Sequence, residues 1–262
     1  MMAFLRRTWD NFRGSGDAAV TVPPMDGALR PNQLLEQAPR LIALGMADNL
    51  VTNGTKTVVS AGRTVFELDP LTGDLAEIHS MEADVSALAL DESGNLAIGL
   101  DDGRVTIRGG RHDGKAVNKA GSQPFHCPTA LLFLSSDELV IAEGSTKYPP
   151  GKWKFDLMER GSTGSVHLAD LGGGKTSPIA GHLAWPCGLV AAGGGRIAIS
   201  EAWRHQVIVV DRNGGKPKVV LEDLPGYPGR LSASGSGGYW LCVFAPRGQM
   251  IEFVLREKEF RK

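Results

Sequence analysis

His126, Cys187, Glu143, Glu201 and Arg230 are the residues of this chain best suited by type to chemistry or to binding a charged group. A histidine titrates near neutrality, so His126 is the acid–base candidate, with a hydrogen-bonded structural role as the alternative. Cys187 is a nucleophile if a neighbour lowers its pKa. The plain alternative, which also covers Cys127, is a small buried thiol that fills space. Glu143 and Glu201 lie 58 residues apart at equivalent places in a repeat. That placement suits either acid–base work or hydrogen bonding between repeats. Arg230 can hold a carboxylate or phosphate bidentately, or pair with a nearby carboxylate such as Asp84. Asp84, Ser86, Thr129, Trp185, Tyr148 and Tyr227 are the companions expected to line a ligand site. His79, His112, His167, His182 and His205 share no metal-ligand spacing, and there is no nucleophile elbow, P-loop or HExxH.

These residues must be positioned by the repeat. A small or polar pair leads into a β-run at Gly62-Arg63-Thr64-Val65, Gly103-Arg104-Val105-Thr106, Gly164-Ser165-Val166-His167, His205-Gln206-Val207-Ile208 and Gly248-Gln249-Met250-Ile251. The spacings are 41, 61, 41 and 43 residues. A period near 40 residues, made of short strands and turns with no long helix between them, predicts β-propeller blades. The innermost strands are expected to start at Val85, Pro128, Pro186 and Pro228, which puts Ser86, Thr129, Cys187 and Gly229 at equivalent channel positions. The last strand is expected over Gln249 to Leu255. The third blade carries about 16 extra residues over Tyr148 to Ser162, with Trp153, Phe155 and Met158. An apolar insertion of that kind is either a lid or a loop tucked onto the blade.

Composition sets outer bounds. The chain has 262 residues, a net charge of −1 and 34 glycines, which fits a chain that turns often and gives no basic footprint for nucleic acid. Three cysteines without a CxxC argue against a disulfide framework. The arginines of Met1-Met2-Ala3-Phe4-Leu5-Arg6-Arg7 are not followed by an apolar stretch, and no run of about 18 apolar residues exists. The expectation is a cytoplasmic protein without a membrane span. Residues 1–40 read as an N-terminal arm, with a short amphipathic helix over Phe4 to Phe12 and a helical turn within Pro31 to Gln37. Residues 41–262 read as the propeller.

Three segments carry a family resemblance over roughly residues 138–245. Glu143-Gly144-Ser145-Thr146-Lys147-Tyr148, followed by Thr163-Gly164-Ser165-Val166, is similar to a Ser-Ser-Lys-Tyr segment and its Thr-Gly-Arg strand. Leu183-Ala184-Trp185-Pro186-Cys187-Gly188-Leu189 resembles Leu-x-Phe-Pro-Asn-Gly-Val. Leu224-Pro225-Gly226-Tyr227-Pro228-Gly229-Arg230, with Gly237-Gly238-Tyr239-Trp240-Leu241, resembles Leu-Pro-Gly-Tyr-Pro-Asp-Asn and its Gly-Gly-Phe-Trp-Val strand. All belong to the strictosidine synthase-like proteins, near the gluconolactonase and paraoxonase group. The resemblance implies an all-β fold: a six-bladed propeller of four-stranded antiparallel blades. About five blades are visible here, and the expectation is a C-terminally shortened or incomplete sixth, or closure with five.

The resemblance also implies a small organic ligand in the central channel, with hydrolase- or lyase-type chemistry. Calcium-dependent members hold their metal with channel Asn and Asp side chains. Those positions are Cys187, Gly229 and Arg230 here, so no cofactor is expected and the chemistry is expected to be metal-independent. The synthase's own catalytic glutamate comes from a last blade with no counterpart in this chain. A non-catalytic ligand-binding or scaffold propeller is the alternative.

Overall fold

The computed structural model describes residues 22–257. The helix expected over Phe4 to Phe12 lies outside them. The described residues open with a 3₁₀ turn at Gly27–Leu29 and one helical turn, α1 (Leu34–Gln37), none of whose residues is buried. It then builds five antiparallel sheets in succession. The first holds β1 (Ala47–Thr52), β2 (Thr57–Ala61), β3 (Thr64–Leu68) and β4 (Leu75–Ser80). The second holds β5 (Val85–Leu90), β6 (Leu96–Leu100) and β7 (Val105–Arg108). Its outer edge is reduced to a bridge between Thr106 and Ala116, followed by a hairpin of β8 (Lys119–Ala120) and β9 (Gln123–Pro124). The third holds β10 (Pro128–Ser135), β11 (Glu138–Glu143), β12 (Gly164–Asp170) and β13 (Lys175–Leu183). The fourth holds β14 (Pro186–Ala191), β15 (Arg196–Glu201), β16 (Gln206–Asp211) and β17 (Lys218–Leu221). The fifth is a pair, β18 (Gly226–Ala233) and β19 (Tyr239–Pro246). Each sheet is ordered as in sequence, and the inner strands β1, β5, β10, β14 and β18 neighbour one another in turn. This is the meander of a β-propeller.

Second strands read as unbroken apolar runs because both of their faces are covered by neighbouring blades. Every residue of β6 is buried, and β11 and β15 are buried along all but their first residue. Val58, Val65, Leu88 and Ile98 fill the space between the first two blades. Ile107, Leu139 and Ile141 fill the next gap, and Val140, Val166, Ile197 and Ile199 the one after it. The recurring small residue of the sequence motif marks the turn from second to third strand. Gly62 and Gly103 hold φ of 57° and 93° there, and His205 adopts the same left-handed conformation at 51°. Aspartates close the other turns: Asp69 Oδ1 accepts the amides of Leu71 and Thr72, and Asp170 Oδ1 those of Gly172 and Gly173.

The fifth repeat departs from the expected strand. Residues Gln249–Arg256 form a helix, α3, and not a β-run. Gln, Met, Glu, Leu and Arg are good helix formers. The spacing of Glu252 and Leu255 places both on one buried face. The insertion also folds locally, as a 3₁₀ turn at Pro150–Lys152 and the helix α2 (Trp153–Glu159).

The fourth and fifth blades meet tightly at Gly188. A Cβ added to Gly188 in β14 would lie 2.3 Å from the Gly229 carbonyl oxygen and 2.8 Å from the Leu231 amide of β18. Backbone cannot give way as a flexible side chain does. Gly188→Ala is expected to destabilise the protein by about 1–3 kcal/mol. The check is a lower urea midpoint with an unchanged slope.

Candidate functional site at the channel mouth

Side chains near the starts of the inner strands knit the blades around the channel. Asn49 Nδ2 donates to the Val85 carbonyl (3.5 Å), Thr129 Oγ1 to that of Pro186 (2.5 Å), and Cys187 Sγ to that of Pro228 (3.2 Å). Ser200 Oγ adds a bond to the Gly229 carbonyl (2.6 Å). Each donor sits on one blade and each acceptor lies in the inner strand of the next, Val85 and Pro186 as the first residue and Pro228 and Gly229 as the third and fourth of β18. The equivalence of Thr129 and Cys187 read from spacing is therefore visible as a shared bonding role. Ser86, at the same position in β5, has a buried hydroxyl oxygen with no hydrogen-bond partner among the described residues.

Arg230 crosses the channel. Its Nη1 donates to the Thr129 carbonyl (2.6 Å) and its Nη2 to the Ser86 carbonyl (2.9 Å), while Nη2 lies 3.7 Å from Asp48 Oδ2. One side chain from the fifth blade thus reaches the third, the second and the first. Asp84, the carboxylate considered from sequence as its partner, pairs with Arg63 at 3.5 Å.

Around these groups lies a cavity of about 490 Å³. Its polar end carries Asp48, Asp84, Asp101 and Arg230, three carboxyls against one guanidinium. Its apolar end carries Trp153, Trp185, Trp203 and Phe244. The Trp185 and Trp203 rings stack at 5.3 Å, and Trp153 tilts against Trp203 at 6.1 Å. Trp203 is oriented by its indole N–H, which donates to the buried Asp156 of α2 (2.9 Å). The insertion therefore contributes a wall of the cavity through Pro150, Gly151 and Trp153. Phe155 lies outside, stacked on Tyr148 at 6.0 Å.

Two groups in this cavity have shifted acidity. Burial, then the charges of Asp84 and Asp102, raise the pKa of Asp101 above the ordinary carboxylate value. Burial pushes the Cys187 thiol up to about 11, although Ser200 and Arg230 oppose it. That thiol is neutral at physiological pH and acts as a hydrogen-bond donor rather than a nucleophile.

The remaining sequence candidates sit elsewhere. His126 is exposed, does not line the cavity, and uses its backbone amide to bond Glu143 Oε1 (2.8 Å). Glu201 Oε1 accepts the Ala184 amide at the same distance, 2.8 Å. Glu143 and Glu201 thus perform one equivalent task, each pinning the segment that leads into the inner strand of its own blade; burial raises the pKa of Glu143. Tyr148 donates to Glu159 Oε1 (2.6 Å), and Tyr227 is buried with its hydroxyl on Glu252 Oε1 (3.1 Å). Asp84, Ser86, Thr129, Trp185, Cys187 and Arg230 are brought together. Asp48, Asp101, Trp203 and Phe244 were not singled out from sequence. The register carried a signal for Asp101: it directly follows β6, as Gly144 follows β11 and Ala202 follows β15.

No family model matches the chain. It is 22% identical to the adipocyte plasma membrane-associated protein of Danio rerio over 218 residues, 80% of this chain and 44% of that protein. It is 24% identical to the protein strictosidine synthase-like 6 of Arabidopsis thaliana over 136 residues, 50% of this chain and 37% of that one. The chain is thus similar to the strictosidine synthase-like proteins. It spans less than half the length of these relatives. A solved gluconolactonase from Xanthomonas campestris shares the propeller fold, with a TM-score of 0.59 and 16% identity over 77% of this chain and 73% of its own.

In this propeller the positions that the resemblance assigns to calcium do not fit that ion. Cys187 offers a neutral thiol, Gly229 no side chain, and Arg230 a fixed positive charge held across the channel. Calcium requires several hard oxygen ligands. Among the described residues, no group of three or more His, Cys, Asp or Glu is arranged to hold a metal ion, and no helix is long and apolar enough to cross a membrane.

Arg230 supplies two charge-assisted bonds that no neighbour can replace. Arg230→Gln is expected to lower unfolding free energy by about 1.5–3 kcal/mol, as loss of a bond to a charged group usually does. Urea denaturation reads this, and an unchanged midpoint would show the crossing to be energetically idle.

Proposed function

We propose that the channel mouth binds a small organic molecule with an aromatic or otherwise flat apolar body and a polar, preferably cationic, end. The body lies against Trp153, Trp185 and Trp203, where a cation also gains from the ring faces. The polar end meets Asp48, Asp84 and Asp101. With Arg230 bonded to two carbonyls and near Asp48, the acidic groups are in excess there.

The reaction class supported best is metal-independent acid–base chemistry of the hydrolase or lyase type, with Asp101 as the group that gives or takes the proton. The observation that carries this is a carboxyl of raised pKa sharing one cavity with three tryptophans. Likeness to a gluconolactonase and to a strictosidine synthase-like protein supports the same class. A second reading, capture of the ligand without chemistry, is favoured by Cys187 and Arg230. The thiol is neutral and the guanidinium is engaged with backbone, so neither supplies a nucleophile or a free oxyanion donor.

A panel of aryl-alkylamines, aryl esters and lactones tests the reading by calorimetry and product analysis. Trp153→Ala is expected to weaken binding about tenfold or more, as loss of an aromatic anchor does. Asp101→Asn is expected to cut turnover by about 10²-fold or more while binding persists. Retained binding with no product in the wild type would select the second reading, and no binding by any probe would overturn both.

Asp101 also predicts a pH signature. In strong acid the folded and unfolded chains both hold its proton, so it is neutral to stability. As pH rises through the carboxylate range the folded chain keeps the proton longer, and above that window the group is a net destabiliser. Asp101→Asn should therefore gain stability relative to wild type as pH rises toward neutrality, measured by urea midpoints across pH 3–8.

A further inference from the structure

The fifth sheet stops at two strands, where the first, third and fourth have four. The outer edge of β19 therefore has no strand beside it among the described residues. Unpaired edges are usually blocked by a charge or by proline. The outer strands of the complete sheets follow that rule: β4 carries Glu77, β13 carries Lys175 and Pro178, and β17 carries Lys218. β19 breaks it. The strand runs Tyr-Trp-Leu-Cys-Val-Phe-Ala before it reaches Pro246, with no charged residue.

A groove of about 420 Å³ lies beside β19. Val209, Val220 and Leu221 of the fourth sheet form one wall, and Leu231, Tyr239 and Leu241 of the fifth form the other. In the earlier blades a third strand stands at the corresponding place and buries its valines. Val65 of β3, Val105 of β7 and Val166 of β12 are fully inaccessible. The fifth blade has no such strand, and every residue of β17 is left exposed, Val219, Val220 and Leu221 by 42–48%. The missing element is thus a strand, with edge amides and carbonyls to meet its backbone and apolar ground to meet one of its faces.

Charge sets its direction. Lys218 pairs with Val209 in register, so the two side chains share the groove face. Arg196 lines the groove, as does Tyr239, the first residue of β19. Lys218 and Arg196 form no ion pair among the described residues, and Arg196 Nε bonds the Gly193 carbonyl. Asp211, opposite Arg196 in register, accepts the Asn213 amide. A third strand antiparallel to β19, as third strands are to second strands in every other blade, runs toward the Tyr239 end. Its C-terminal residues then meet Lys218 and Arg196.

We propose that the open edge of β19 and this groove bind an extended segment of a partner polypeptide, apolar at alternate positions and acidic at its C-terminal end. The segment enters as the third strand of the fifth sheet. Main-chain bonds to β19 hold it, Val209, Val220 and Leu221 receive its apolar side chains, and the two cations receive its acidic end. The groove shares no lining residue with the channel cavity, so the partner and a channel ligand bind independently.

The probe is a labelled synthetic peptide of about eight residues, Val and Thr in alternation and ending in Glu-Glu, titrated into the whole protein by fluorescence anisotropy. Saturable binding is expected with a Kd of about 100 µM or tighter. The same peptide ending in Lys-Lys, or with Glu-Glu moved to its N-terminus, should bind about tenfold more weakly or worse. Lys218 is exposed and unpaired, so Lys218→Glu should leave the urea midpoint unchanged while it reverses the preference between the Glu-Glu and Lys-Lys peptides. Peptide binding should also slow hydrogen exchange at the outward-facing amides of β19 and leave those of β4 as they were. No saturable binding overturns the proposal, as does equal binding of the three peptides or an unchanged preference in Lys218→Glu. Slow exchange at the outward-facing β19 amides in the free protein overturns it too. The edge is then already paired, and sedimentation of the protein alone separates a second copy from another segment of the same chain.

Discussion

A single guanidinium fixes the electrostatics of the channel. Arg230 leaves the fifth blade, bonds carbonyls of the second and third, and approaches a carboxylate of the first. A buried or half-buried charge needs partners that stay put, and backbone carbonyls of inner strands are as fixed as any in the fold. The consequences run outward from there. The cation is satisfied by protein and has little left for a ligand. Its charge occupies the region where related propellers are expected to keep a metal, and the thiol at Cys187 has no charge to offer such an ion. The neighbouring aspartates are left in excess, and burial together with the charges of Asp84 and Asp102 raises the pKa of Asp101.

The second organising feature is aromatic. Trp185 and Trp203 come from the blades, Trp153 from the insertion, and Phe244 from the last strand pair. Their contact makes the insertion part of the cavity wall. The orienting bond from Trp203 to Asp156 crosses from a blade to α2, so α2 and the wall are held by one another. The result is a cavity with an acidic end and an aromatic end. It stands beside a larger, arginine-lined cavity that shares the Trp203 edge.

Much of the architecture was legible before the structure. The period near 40 residues, the starts of the inner strands at Val85, Pro128 and Pro186, and the equivalence of Thr129 with Cys187 all rest on local rules: alternation, turn chemistry and repetition; the fifth inner strand begins at Gly226, two residues before the expected Pro228. Those rules act over a few residues and are written in the chain. The same locality explains the failure at Gln249. The motif there repeats the earlier blades, but a strand needs a partner and a helix does not. Here the buried contacts of Glu252 and Leu255 favour the helix.

The sequence alone determined the blades, their order, the turns and which residues face the channel end of each inner strand, because each follows from near neighbours along the chain. Only the tertiary structure decided the chemistry. Whether Arg230 is free or bonded, whether His126 or Asp101 borders the cavity, and whether Cys187 is thiol or thiolate depend on distances between residues far apart in the chain, as Arg230 and Ser86 are at 144 positions. Such distances are set by how blades pack around an axis. Charge, burial and pKa are properties of that packing and leave no mark at the level of single residues or their spacing.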